Sequence, residues 1–402
     1  MTDIEKIQSM EIMDFSTSNI SQHFLLYYNG CYFEINLFVA ELIVIIKQSS
    51  SIDDAISKYV SFKKGHYTEE NVKEIIERAI FPILNSSKKQ RSFIFNIKLF
   101  SSEFVDAFSK KLSICFNKWI LLSVVTSFLL LEIPFLFNIT TLFKEELQFS
   151  LLTIISVVAF FLFSSLIHEL GHASACRFYN IKHGEIGFGL YLNFPVFYTD
   201  VSHIWRLNRR QRCVVNFAGV YFQIIILLPI LLCEILFPNN ILRYIILGLN
   251  LNFLITLNPF FKFDGYWFMT DLLGISNLRR KSNQLIKYYW YVFIGRKQSV
   301  ETPFTFLLKK REKFFFIIYS LLINLFFIYY FLYIIPVFIY NLCREFPSKL
   351  VLLIQDLSNG ITPDYYQVYS MITQLFFLGI TIYLFYRVFI FPLKQKRSMP
   401  NE

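Results

Sequence analysis

Apolar residues change their pattern along this chain. Up to about residue 90, polar and apolar positions are mixed over short stretches. Beyond residue 119 the apolar positions gather into long runs. Six runs reach the roughly 20 residues that a helix needs to cross a bilayer. They lie near 119–140, 150–175, 214–237, 241–261, 314–340 and 367–388. An even number puts both ends of the chain on one side. The loops 177–213 and 262–313 and the tail after Arg387 are rich in Lys and Arg, whereas 141–149, 238–240 and 341–366 hold few. The positive-inside rule then predicts cytosolic termini. The expected class is a mainly α, polytopic membrane protein with about six transmembrane helices. No internal repeat is visible, so a transporter built from inverted repeats gains no support.

The first stretch reads as a small cytosolic domain over 1–90. His23 to Asn36, HFLLYYNGCYFEIN, predicts a hairpin turning at Asn29-Gly30, since Asn-Gly between aromatic flanks is a strong hairpin signal. LFVAELIVIIKQ follows as an apolar helix. A second helix begins at Ser51-Ile52-Asp53-Asp54, with acidic residues in its first turn, and a third at Thr68, a good N-cap. A hairpin with three short helices is a winged-helix-like α+β layout. SSKKQRSF at 86–93 reads as a basic linker, and 91–118 as a linker or interfacial segment along the membrane surface. The membrane domain then fills 119–392, with a core at 150–275 and a cytosolic tail at 393–402.

Composition agrees with this division. Of 402 residues, 55% are hydrophobic and 19% aromatic, above the range of soluble domains. The net charge of +10 follows the loop pattern, so no nucleic-acid partner is expected. Acids balance the bases over 1–85, which disfavours a DNA-binding winged helix. The six cysteines form no CxxC pair and no disulfide framework. The first residues, MTDIEKIQSM, lack the pattern of a cleavable signal peptide.

Chemistry enters at the end of the second run, FSSLIHELGHASACRFY. His168, Glu169 and His172 form HExxH. Helical residues four apart share a face, so both imidazoles can ligate one zinc ion. Glu169 is positioned to act as general base toward water and then as proton donor to a leaving amine. Ionisable groups inside a span cost about 2.5–3.5 kcal/mol each, and such residues are rarely bystanders.

A catalytic zinc needs a third protein ligand and an open position. Asp264, in Asn258-Pro259-Phe260-Phe261-Lys262-Phe263-Asp264-Gly265, is the expected third ligand. The second and fourth spans run the same way, so their inner ends can meet. Alone, Asp264-Gly265 would read as an ordinary turn; beside HExxH at the same depth it reads as a ligand. Asn258 is the expected substrate-binding residue, holding a substrate strand or an oxyanion. A helix–helix hydrogen bond explains it equally well, and better explains Asn250 and Asn252.

HELGH followed two spans later by NPFFKFDG resembles the site-2 protease family of intramembrane zinc metalloproteases. That family couples HExxH with an NPxxxLDG-type motif whose aspartate is the third ligand; Phe263 stands where Leu is usual. The resemblance covers about 150–275. Ala218-Gly219 is similar to the family's Ala-Gly-Pro, with Val220 in place of Pro. GEIGFGLYLNFPVFYTDVSHIWRLNRRQR resembles the branch found beside modified-peptide biosynthesis genes, in which a short β-like insertion follows HExxH. The N-terminal layout resembles PqqD-like domains, which bind a leader peptide beside a strand. A plain stabilising domain is the alternative.

The remaining polar residues read more plainly. Asp200, His203, His183 and Glu185 are expected in a solvated loop, and Cys176 at a helix contact. Glu132 and Glu234 lie within spans and are expected to pair, reach the interface or line a water path. The segment 186–198 is expected to be β-like, its edge at Gly187–Leu192 open to a substrate strand.

Together these readings predict a zinc endopeptidase in a bacterial cytoplasmic membrane. Its substrate would be a membrane-associated peptide under maturation or export. The alternatives are regulated cleavage of a membrane-anchored signalling protein, and a non-proteolytic export or immunity component.

Overall fold

The computed structural model describes residues 3–14, 23–64, 66–85, 93–139, 151–191, 194–275, 277–295, 308–362 and 364–386. Two compact units divide the chain at Phe316/Ile317.

In the first unit, the Asn29-Gly30 pair sets the first turn. Asn29 has φ 48° and Gly30 φ 78°, the left-handed pair that a two-residue hairpin requires. The strands it joins, β2 (His23–Tyr28) and β3 (Cys31–Asn36), pair in the register Tyr28↔Cys31 to His23↔Asn36. The sequence reading missed α1 (Asp3–Gln8) and β1 (Glu11–Asp14), short elements without strong periodicity; β1 pairs antiparallel with β2. Three helices follow as expected: α2 (Leu37–Lys47), α3 (Ile52–Phe62) and α4 (Glu69–Ile75). Asn36, Ser51 and Thr68 cap them through side-chain oxygens. A π turn at Ile76–Ile80 leads into α5 (Phe81–Leu84). Apolar residues from every layer close one core, among them Ile7, Leu26, Leu42, Ile43, Ile46, Tyr59, Val72 and Ile80.

The stretch expected to be a linker is built into the fold. The basic residues 86–92 lie outside the described residues, but Phe93–Phe100 forms β4 and Ser102–Leu112 forms α6. Next come α7 (Lys118–Phe137) and α8 (Leu151–Phe178). The expected β-like insertion appears as β5 (Ile186–Tyr191) and β6 (Phe194–Thr199). The sheet order is β4-β5-β6, antiparallel throughout. This corrects the expected open edge at Gly187–Leu192. Strand β5 is central, with β4 on one side and β6 on the other. The alternating pattern at 93–100 was masked by the basic linker before it.

The helices beyond the sheet are α9 (Arg209–Leu236), α10 (Asn240–Thr256), α11 (Asp264–Leu273) and α12 (Leu278–Phe293). Then come α13 (Lys310–Tyr329), α14 (Ile335–Ser358) and α15 (Tyr365–Phe385). Among the described residues, four helices are long and apolar enough to cross a membrane: α7, α8, α9 and the stretch Lys310–Ser358. The fourth predicted span is the 17-residue α10, about 26 Å long at 1.5 Å per residue and so shorter than a usual span. The sixth falls on α15, with its end outside the described residues. Residues 341–358, expected in an outer segment, continue the helix. A Lys349–Glu345 pair of 3.0 Å stabilises that turn.

Within the second unit, α14 and α15 pack side by side. Phe338 and Phe377 meet with ring centroids 4.5 Å apart, and Gln367 Nε2 donates to Lys349 O at 2.7 Å.

Helix α8 shows how the spans are organised. Its first half is apolar and exposed, with Leu152 at 67%. Its second half is polar and buried: Ser164, His168, Glu169, His172 and Ser174 all lie inside. Polar-in and apolar-out is the arrangement expected of a lipid-embedded helix with a functional interior. Helix α9 crosses here at small residues. A methyl group on Gly171 would run into the carbonyl of Ala218, and one on Gly219 into the His168 ring. The backbones approach this closely because neither residue has a Cβ.

Candidate metal centre

The HExxH histidines project from α8 on one face, as their spacing predicts. Their rings are 4.8 Å apart by centroid, and their Nε2 atoms 3.1 Å apart. Asp264, the first residue of α11, reaches the same point. Its Oδ2 lies 2.8 Å from His168 Nε2 and 3.2 Å from His172 Nε2. Among the described residues, this is the one group of three His, Cys, Asp or Glu side chains close enough to share a metal ion.

The outer nitrogens set which way the rings face. His172 Nδ1 donates to the Val215 carbonyl at 2.7 Å. A carbonyl only accepts, so the proton sits on Nδ1 and the Nε2 lone pair points inward. His168 Nδ1 donates to Gln223 Oε1 at 3.2 Å. Gln223 is held in turn, accepting from Asn252 Nδ2 at 3.3 Å and donating to Ser164 Oγ at 2.9 Å. Partners of this kind fix the tautomer and orientation of metal-binding histidines.

Two imidazole lone pairs and a carboxylate oxygen therefore converge on one point. Without a cation they would repel; with one they form a mixed nitrogen and oxygen donor set that zinc accepts. Ligands at about 2.0–2.1 Å in a tetrahedron sit about 3.3 Å from one another, close to the separations found. The Asp264 side chain is 25% exposed, which leaves one side of the cluster approachable. The donor set fits zinc with an open position.

Asp264 owes its place to the turn before it. Asn258 Oδ1 accepts from Phe260 N at 2.8 Å, closing the Asn-Pro turn after α10. Gly265 lies so close to Leu257 that a Cβ would collide with that residue's backbone. Asn258 thus serves its own turn rather than a helix–helix bond. Among the described residues its amide nitrogen has no partner.

Glu169 sits beside the cluster and is 8% exposed. No side chain among the described residues hydrogen-bonds its carboxylate, so that carboxylate is uncommitted. Its backbone is anchored, because Thr199 Oγ1 of β6 donates to Glu169 O at 3.0 Å. Among the described residues β6 is an edge strand of the sheet, with no strand paired on its outer side.

The comparisons with known proteins fit this centre. The chain is 24% identical over 128 residues to "Putative peptide zinc metalloprotease protein YydH" of Bacillus subtilis (strain 168). The match takes in 31% of this chain and 51% of the relative, so the chain spans about half the length of the curated relative it matches. No family model and no solved structure matches the chain.

Other polar residues stand apart from the centre. His183, expected in a solvated loop, is buried; its Nε2 lies 3.1 Å from Ser109 Oγ and 3.4 Å from Asp106 Oδ1, tying α6 to the segment between α8 and β5. Asp200 closes the loop with Ser202 N at 3.0 Å. His203 Nδ1 lies 3.3 Å from Tyr32 Oη, and Arg206 pairs with Glu11 at 2.5 Å, so the N-terminal sheet docks on the segment after β6. Glu234 pairs with Arg243 at 3.0 Å, and Glu132 accepts from Asn250 Nδ2 at 2.6 Å; of the three roles expected for these residues, both take up pairing.

Two layers behind the centre escaped the sequence reading. Gln223 lies one turn past Gly219 and reads there as a stray polar residue in an apolar run. That intramembrane position was the available signal. The other is a buried ion pair. Arg212 Nε lies 2.6 Å from Asp271 Oδ1, and Asn216 Nδ2 donates to Asp271 Oδ2 at 2.7 Å. It locks α9 to α11, the helix that begins at Asp264.

Proposed function

We propose that this chain is a membrane-embedded zinc endopeptidase of the site-2 protease type, cutting a membrane-associated peptide near the cytosolic face of a bacterial cytoplasmic membrane. The observation that carries the reading is the convergence of His168 Nε2, His172 Nε2 and Asp264 Oδ2 beside the uncommitted carboxylate of Glu169. These three side chains would hold the ion. Bound there, zinc supplies Lewis acidity toward the peptide carbonyl and toward water. Glu169 takes the proton from the attacking water and returns it to the departing amine. Burial of the site keeps bulk water out and strengthens these charge interactions. The amide nitrogen of Asn258, which has no partner among the described residues, is a donor available to the substrate backbone.

The substrate must reach the centre extended, because a helix hides its peptide bonds. The outer edge of β6, tied to Glu169 through Thr199, can accept such a strand. The peptide is, on this reading, a ribosomally made product undergoing maturation or export. The relative's printed name, which pairs peptide with zinc metalloprotease, supports it. That domain docks beside β6, which would bring a bound leader toward the cleavage site.

The test is Glu169→Gln in the full chain. Peptide cleavage should fall to background while zinc content stays at the wild-type level. Processing that continues unchanged in the variant would rule out this mechanism and favour a non-proteolytic export or immunity role.

A further inference from the structure

A basic hollow of about 480 Å³ lies where the loop carrying Asp264 meets α12. Lys262, Arg279, Arg280 and Lys287 line it, together with the amides of Asn277, Asn283 and Gln284. No carboxylate is among its lining residues. Four cations and three amides that can donate form a site for an anion rich in acceptor oxygens.

Helix α12 shows which anion. Arg280, Asn283, Gln284 and Lys287 recur at helical spacing and make one polar stripe facing the hollow. Six residues on, Ile286, Tyr289, Trp290 and Phe293 make a second stripe that is apolar and exposed, with Phe293 at 84%. The stripes are about 120° apart around the axis. The opposite face, Leu278, Ser282 and Leu285, is buried against the protein. A helix with a basic stripe beside an exposed aromatic stripe lies in the membrane interface, its aromatics among acyl chains and its cations at headgroup level. A free anion or an acidic peptide would account for the cations but leave the exposed aromatics without partners.

We propose that this hollow binds the phosphate headgroup of an anionic phospholipid, with the acyl chains lying along Ile286, Tyr289, Trp290 and Phe293. Lys262 and Tyr266 flank Asp264 in sequence, so the bound headgroup anchors the loop that presents the third metal-site residue.

The experiment uses full-length protein in neutral detergent, with phosphatidylglycerol and phosphatidylcholine of matched chains offered together. Retained lipid is read by native mass spectrometry. Wild type should hold phosphatidylglycerol in roughly thirtyfold excess, the scale set by two interfacial cations. Arg280→Gln with Lys287→Gln should bring the ratio near one, whereas Arg280→Lys with Lys287→Arg should keep it. Both positions are exposed, and circular dichroism matching wild type verifies that the variants fold. Equal retention of the two lipids by wild type would overturn the proposal, and so would a preference that survives in the Gln pair. Complete displacement of phosphatidylglycerol by equimolar glycerol phosphate, or by an acidic peptide, would overturn it in favour of a soluble anion or the substrate.

Discussion

The N-terminal domain and the spanning helices solve opposite problems with one alphabet. In the domain, Leu26, Leu42, Ile43, Ile46 and Ile80 are fully buried, and charges such as Lys58 and Asp54 face water. In α7 and α8, Leu130 and Leu152 are more than two-thirds exposed, while Glu132, His168, Glu169 and His172 lie inside. A leucine is driven inward only where the outside is water. Where lipid is the solvent, leucines leave the interior to smaller and polar groups, and specific pairs take over the task of fixing one helix against another. A metal centre can then be built from residues that a water-soluble core would exclude.

This contrast predicts where each region breaks. Asp271→Ala should have the largest effect, because it strands the buried Arg212 guanidinium and frees α11 from α9. Removing one partner of a buried pair costs about 3–5 kcal/mol. Thermal unfolding in detergent and zinc retention should fall together. If Asp271→Ala is as stable as wild type, polar pairs do not hold the helices.

Leu42→Ala should destabilise the N-terminal domain by about 2–5 kcal/mol, as for other fully buried leucines. Leu152→Ala, in a region that faces lipid, should change stability by less than about 0.5 kcal/mol, as for surface sites. Limited proteolysis of each full-length variant reads both. Equal losses would erase the contrast.

Gln223→Leu is the mildest change. It keeps the volume and removes the acceptor for His168 Nδ1, so zinc affinity should drop about 10- to 100-fold. Competition with a chelator measures it. An unchanged affinity would mean that Gln223 does not orient the ring.

Much of this was legible in the sequence because local rules wrote it. Asn29-Gly30 has one favourable reading between strand-forming flanks, and HExxH puts both imidazoles on one helical face. Asp264 was legible by depth, because the ends of two parallel-running spans can meet. Strand β4 was not, since its alternating pattern follows directly on a basic linker and its partner in β5 lies far along the chain, between Phe93↔Tyr191 and Phe100↔Ile186. Four helices pass length and composition among the described residues where six runs were counted. The capped Asn-Pro turn after Leu257 shortens one of them. Gln223, Arg212 and Asp271 were illegible for a related reason. A polar residue in an apolar run announces that it has a partner without saying which.

The account rests on three side chains meeting at one ion, so metal analysis tests it most directly. Purified wild type should carry close to one zinc per chain by plasma mass spectrometry. Asp264→Ala, verified as folded, should lose it. Zinc-free wild type after purification in zinc-supplemented buffer would contradict the account, as would full occupancy in Asp264→Ala.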